Sequence, residues 1–176
     1  MNGEIRECED WVPSRQQLAF ADYATMPRKM LWHVTKLTTN EATLIEPLSV
    51  ALDLVRVADI QMGHSVAIIG PGPIGLMSIK LCQLKGASNI IVLGTDKDEH
   101  RFPLACELGA ETYFNVTQID PVEAVMDATQ GRGVDRVLAT APVRIMNQAI
   151  KMARLGGIIS YLGFEVKDTD AVIPIN

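Results

Sequence analysis

From Ser65 onward, short apolar runs alternate with longer stretches in which apolar residues recur every three or four positions. The runs at residues 66–69, 89–93, 111–115, 134–140 and 157–163 read as strands. Residues 74–85, 98–108, 121–129 and 144–155 carry helical spacing, and Gly86, Gly109, Gly131 and the pair Gly156-Gly157 fall where those helices should stop. Strands and helices of these lengths in alternation predict βαβ units and a mostly parallel sheet, an α/β fold. Pro103 conflicts with this pattern. It lies too deep in its predicted helix for the favoured first position, so that helix starts late or is kinked.

The first 64 residues have a different rhythm. Residues 17–25 and 31–35 read as strands joined through Met26-Pro27-Arg28-Lys29, and Thr38-Thr39-Asn40 offers an N-cap for a helix beginning near Glu41. Pro47 either splits that helix or starts a second one over residues 48–58, whose apolar stripe would pack on the following domain. This front segment has too few elements to close a core by itself.

Composition narrows the partners. The chain has 176 residues, 48% hydrophobic and 21% charged, enough for one domain and part of another with a real core. A net charge of −5 argues against nucleic acid or an anionic membrane as partner. No apolar run approaches a membrane span, and the polar, acidic first ten residues do not read as a secretory signal. Cys8, Cys82 and Cys106 are odd in number and widely spaced, which predicts neither a disulfide framework nor a structural zinc knot and makes the cytoplasm the expected compartment.

The chemistry-bearing motif is Gly70-Pro71-Gly72-Pro73-Ile74-Gly75, a G-x-G-x-x-G placed between a predicted strand and a predicted helix. Gly70 permits the tight turn, Gly72 lets the backbone approach a pyrophosphate, and Gly75 lets helix and strand pack closely. The pyrophosphate would sit on the unpaired N–H groups at the positive end of the helix. A dinucleotide is therefore the expected ligand.

Further motifs follow in order. Glu46-Pro47-Leu48 stands in the segment from Ala42 to Leu52, and beyond the glycine motif come Glu107-Leu108-Gly109-Ala110, Gly131-Arg132-Gly133-Val134-Asp135 and Gly156-Gly157-Ile158-Ile159. Together with Ala19-Phe20-Ala21-Asp22-Tyr23-Ala24 at the front, this set resembles the medium-chain dehydrogenase/reductase family, above all its zinc-type alcohol and polyol members, similar to sorbitol and threonine dehydrogenases. The resemblance covers roughly residues 15 to 165. It implies a Rossmann-type, doubly wound parallel sheet of about five strands, lacking the sixth, at residues 65–176. A linking helix would occupy residues 46–64, and residues 1–45 would be the remnant of a GroES-like β domain.

The resemblance also implies oxidoreductase chemistry, hydride transfer between a secondary alcohol or polyol and NAD(P). Glu46 matches the glutamate beside the family's catalytic zinc, but the upstream cysteine and the histidine–acid pair that complete that site have no counterpart, and His33, His64 and His100 stand elsewhere. Zinc alcohol chemistry needs about three protein ligands and one open position. No catalytic residue is therefore expected here, zinc is expected only in a full-length enzyme, and the alternative function is a non-catalytic dinucleotide-binding module or truncated paralogue. A methyltransferase with a similar glycine turn is disfavoured by the Glu-Pro-Leu box and the Gly-Arg-Gly-Val-Asp turn. A sheet ending after five strands leaves an edge open, so a homo-oligomer is expected.

For the cofactor, the tip of the second strand falls on Gly94, followed by Thr95, Asp96 and Lys97. Gly94 with a small hydroxyl residue resembles NADP-using relatives, yet Asp96 would repel a 2′-phosphate, with Lys97 or Arg101 available to compensate. The acidic-residue rule makes NAD the expected cofactor, with NADP as the alternative. Thr140 and Ala141 after the fourth strand, and Leu162 and Gly163 after the fifth, are the expected lining of the ribose and nicotinamide ends. Cys82 and Cys106 read as small core residues, and His64 as a turn residue.

Overall fold

The computed structural model describes Asp22 and residues 28–163 of the chain. Contacts divide the chain into two units between Ala42 and Thr43. In the first unit, a 3-10 turn at Arg28–Met30 leads into residues 31–35, which form no strand. This corrects the expected second strand. Every residue of that stretch is exposed, including Leu31 and Trp32, and no neighbouring strand among the described residues takes up its backbone groups. The other expected strand, residues 17–25, lies outside the described residues apart from Asp22. A helical turn at Thr39–Ala42 does form, fixed by a capping box: Thr38 Oγ1 accepts the Glu41 N–H at 3.3 Å and the Glu41 carboxylate accepts the Thr38 N–H at 2.7 Å.

The second unit opens with helix α1 (Ile45–Val57). Pro47 sits in its first turn, where an N–H would have no helical partner, so the helix runs through it undivided. Alternation then follows as the pattern predicts: β1 (Ser65–Ile69), α2 (Pro73–Leu84), β2 (Asn89–Gly94), α3 (Phe102–Glu107), β3 (Thr112–Asn115), α4 (Pro121–Ala128), β4 (Val134–Ala139), α5 (Met146–Met152) and β5 (Ala153–Tyr161). All strands are parallel in the order β3-β2-β1-β4-β5. The sheet is doubly wound around the central strand β1, every residue of which is buried.

Period-two alternation divides the core into two layers. Val66 and Ile68 of β1 pack with Leu54, Val55 and Ile79 of α1 and α2, whereas Ala67 and Ile69 pack with Val125 and Met152 of α4 and α5 on the other face. Each fully buried Val, Ile or Leu in these layers contributes about 1.5–3 kcal/mol relative to exposure. Continuous apolar strands are what a parallel sheet covered on both faces requires.

Two elements differ from the expected bounds. The helix predicted over 98–108 is a 3-10 segment, Asp96–Arg101, followed by α3, so Pro103 stands in the first α-helical turn. The helix predicted over 144–155 shortens to α5 after a 3-10 turn at Val143–Ile145. Ala153 pairs with Val134, which draws residues 153–155 into β5, and Gly156-Gly157 occupy a register shift in the β4–β5 ladder instead of capping a helix. Cys82 is fully buried, and burial pushes its thiol up to about 12, but Cys106 is exposed, contrary to its reading as a core residue. No helix among the described residues is long and apolar enough to cross a membrane.

The amino ends of the strands are tied by a buried polar network. Asp135 of β4 accepts the N–H and hydroxyl of Ser65, both at 2.9 Å, and receives the guanidinium groups of Arg132 and Arg154. Burial alone would raise its pKa, but the hydrogen bonds from Arg132, Arg154 and Ser65 outweigh it and hold the carboxyl far below the usual range. Buried Arg136 donates to the carbonyls of Ala58 at 2.6 Å and Asp135 at 2.8 Å, fastening the end of α1 to β4. We expect Asp135→Asn to lower stability by about 2–3 kcal/mol, since it leaves partly buried cations unpaired. A depressed folded pKa stabilises above the unfolded value and is lost below it. Urea melts should therefore show the gap between wild type and variant narrowing as pH falls below about 4; a constant gap would refute the assignment.

Candidate functional site: a cleft at the carboxyl ends of the strands

The chain leaves β1 toward one face of the sheet and leaves β4 toward the other, so a crevice opens between the carboxyl ends of these neighbours. Ligands bind α/β sheets at such a switch point. The turn after β1 is built from its three glycines. Gly70 has φ +95°, a left-handed conformation that a side chain would strain, and its N–H bonds to the Leu93 carbonyl at 2.9 Å. A β-carbon on Gly75 would lie 2.0 Å from the Gly70 carbonyl oxygen, so no other residue fits there. A β-carbon on Gly72 would meet nothing within 4 Å, because this residue faces the open cleft.

Gly72 is also the N-cap of α2, and no side chain caps that helix; Pro73 takes the first position. The N–H groups of Ile74 and Gly75 thus face the crevice at the positive helix end with no side-chain acceptor, a fit for pyrophosphate oxygens. From β4, Thr140 fastens the turn: its N–H donates to the Ile69 carbonyl at 2.9 Å and its hydroxyl to the Gly70 carbonyl at 2.8 Å.

Two cavities flank this turn and share Gly72 and Thr140. One, of about 480 Å³, is lined by Val50, Pro73, Ile74, Gly75, Leu162 and Gly163. The other, of about 340 Å³, is lined by Gly70, Gly94, Thr95, Asp98, Arg101 and Ala141, with Val116, Pro121, Arg144, Ile145 and Gln148 among its further walls. The elongated crevice thus has a lobe on each side of the phosphate-sized turn, as a dinucleotide requires.

Most residues expected from the sequence come together here, but Asp96 and Lys97 line neither lobe. The Asp96 carboxylate accepts from Thr117 Oγ1 and, at 2.7 Å, from Asn115 Nδ2, and these bonds hold its pKa below the ordinary value. The carboxylate in the crevice is Asp98. Its Oδ2 accepts the Thr95 N–H at 3.0 Å and hydroxyl at 2.9 Å, and its Oδ1 pairs with Arg101 Nη1 at 2.7 Å. Burial opposes ionisation, but the bonds from Thr95 and Arg101 prevail and lower its pKa. The sequence motifs do not point to Asp98, nor to Val116, Pro121, Arg144, Ile145 and Gln148. Arg144 carried a usable signal in its position just past the end of β4; Val116, Pro121, Ile145 and Gln148 come from the connection after β3, the start of α4 and the turn and helix after β4, with no motif of their own.

Glu46 is exposed in the first turn of α1, where its carbonyl accepts from Ser49 Oγ at 2.7 Å. Among the described residues no group of three or more His, Cys, Asp or Glu side chains could hold a metal ion, so these residues do not fit a zinc site. His64 serves the turn before β1: its Nδ1 accepts the Gln61 N–H at 3.1 Å.

Fold and crevice together define a dinucleotide-binding α/β domain of the dehydrogenase type. The chain belongs to the zinc-binding dehydrogenase family, whose model matches residues 73–176. It is 40% identical over 148 residues to an L-threonine 3-dehydrogenase of Symbiobacterium thermophilum, covering 82% of this chain and 41% of the relative. Against a sorbitol dehydrogenase of Bacillus subtilis it is 33% identical over 161 residues, 90% of this chain and 44% of the other. A solved structure from Sinorhizobium meliloti 1021, a protein carrying the same family description and bound to NADP, superposes with a TM-score of 0.67 at 30% identity, covering 73% of this chain and 38% of that one. The chain thus spans about two-fifths of the length of the curated relatives it matches.

Because Thr140 holds the carbonyl that closes the glycine turn, Thr140→Val should weaken dinucleotide binding about fivefold to tenfold, the worth of one hydrogen bond. Thr140→Ser should restore it. Isothermal titration of both variants checks this, and equal losses in the two would show that the hydroxyl is not the reason.

Proposed function

We propose that this chain is the nicotinamide-dinucleotide-binding part of an oxidoreductase that transfers hydride between a secondary alcohol or polyol and its cofactor. The observation that carries the reading is the uncapped start of α2, facing a glycine turn and lying between two cavities. The dehydrogenase names of its relatives support the reaction class. Residues 65–176 would be the dinucleotide domain, residues 46–64 the linking helix and residues 1–45 a remnant of the GroES-like domain. A bound nicotinamide accepts or donates the hydride; the protein supplies binding and orientation. Gly70, Gly72, Pro73, Ile74 and Gly75 would hold the pyrophosphate, and Leu162 and Gly163 would line the other lobe. Zinc and the alcohol are assigned to the remainder of a full-length enzyme.

At the ribose end we infer NADP rather than NAD. The preference for NAD rested on Asp96, whose carboxylate bonds to Asn115 and Thr117 outside the crevice. At the strand tip, Gly94 leaves no carboxylate for a ribose diol, and the Asp98 carboxylate is engaged by Thr95 and Arg101. Arg101 keeps donors free beyond its bond to Asp98. The NADP bound to the S. meliloti structure supports the same choice. Fluorescence titration should give a Kd for NADPH at least about tenfold below that for NADH, the scale of one charge-assisted contact. A preference for NADH would overturn the choice, and failure to bind either would overturn the dinucleotide reading.

We further propose that the chain self-associates through β5. Among the described residues this strand pairs only with β4, leaving its outer backbone groups open, and its Leu155 is 97% exposed. Sedimentation velocity should show a dimer that Leu155→Lys shifts toward monomer; a monomeric wild type at high concentration would exclude it.

A further inference from the structure

The crevice holds a second guanidinium that the glycine turn does not explain. Arg144 stands in the 3-10 turn Val143–Ile145 that follows β4, and it lines the same cavity as Gly94, Thr95 and Arg101. It is exposed, and among the described residues no hydrogen bond or ion pair engages it. Arg101 reaches the cavity from the β2 side and is paired with Asp98; Arg144 reaches it from the β4 side and is unpaired.

Charge decides what such a pocket accepts. Its lining carries Arg101, Arg144 and one carboxylate, Asp98, giving a local balance of +1 in a chain whose net charge is −5. Two neutral ribose hydroxyls would leave the Arg144 cation without a counter-charge. A phosphomonoester dianion supplies that charge and the acceptor oxygens that a planar guanidinium fork recognises. Gln148, one helical turn beyond Arg144, lines the same wall with a neutral amide and adds no competing charge.

We propose that Arg144 is the specificity-determining residue of this site, holding the 2′-phosphate of the dinucleotide from the β4 side while Arg101 holds it from the β2 side. This rests on reading the crevice as a dinucleotide site. It adds a selector from the connection after β4, outside the strand-tip segment that the sequence rule inspects.

The test uses the full 176-residue chain with NADPH and NADH as probes. Arg144→Gln should raise the Kd for NADPH about tenfold and that for NADH less than twofold, the loss of one contact to a charged group. Arg144→Lys should recover most of the NADPH affinity, and added salt should narrow the gap between wild type and Arg144→Gln for NADPH alone. Since no internal contact is lost, the melting temperature of Arg144→Gln should match the wild type. Equal weakening for both cofactors would overturn the proposal by placing Arg144 on the shared adenosine or pyrophosphate, and no change for either would place it outside the site. A wild type that binds neither cofactor would instead overturn the underlying reading.

Discussion

The approach of Gly75 to the Gly70 carbonyl is the constraint on which the site depends. With no β-carbon between them, the first turn of α2 lies directly against the end of β1. That contact aims the uncapped helix start into the crevice instead of past it. The Thr140 hydroxyl bonds to the same carbonyl from β4. One backbone oxygen therefore joins the central strand, its helix and the neighbouring strand across the switch point, and both cavities open from this junction.

The two ends of the sheet show opposite electrostatic economy. At the amino ends, Asp135 gathers Ser65, Arg132 and Arg154, and Arg136 binds the Ala58 carbonyl just past α1, so these buried charges are matched, although the Asn89 side-chain oxygen at the start of β2 has no partner among the described residues. At the carboxyl ends, donors outnumber acceptors: helix N–H groups without a cap, Arg101 with spare donors, and Arg144 unpaired. A fold can leave donors open only where water or a ligand reaches them. The charged network at the amino ends ties the strands together; the carboxyl ends carry the open donors that the proposed anionic ligand would need.

Much of the fold was legible because local periodicity and long-range packing agree. β1, β2 and β4 are apolar beyond their amino-terminal residues since both faces are covered, and α2 and α4 carry their starting prolines in the sequence. Disagreement arose where pairing overrode local preference. Residues 153–155 continue a helical pattern, yet the ladder with β4 takes them, and Gly156-Gly157 becomes an irregularity within a strand. Residues 31–35 have strand composition but no partner strand among the described residues, and composition alone does not make a strand.

By itself the sequence determined the doubly wound architecture, the glycine turn and the family, because these depend on spacings of a few residues along one chain segment. Only the tertiary structure decided which charges line the crevice. Asp96 and Asp98 are two residues apart and chemically identical, but Asn115 and Thr117 of the β3 region hold the first away while Thr95 and Arg101 hold the second in the crevice. Arg144 comes to share a cavity with Arg101, 43 positions earlier, through the order of the strands. Short-range pattern encodes elements; the direction of a side chain is set by neighbours that the chain supplies from far along its length.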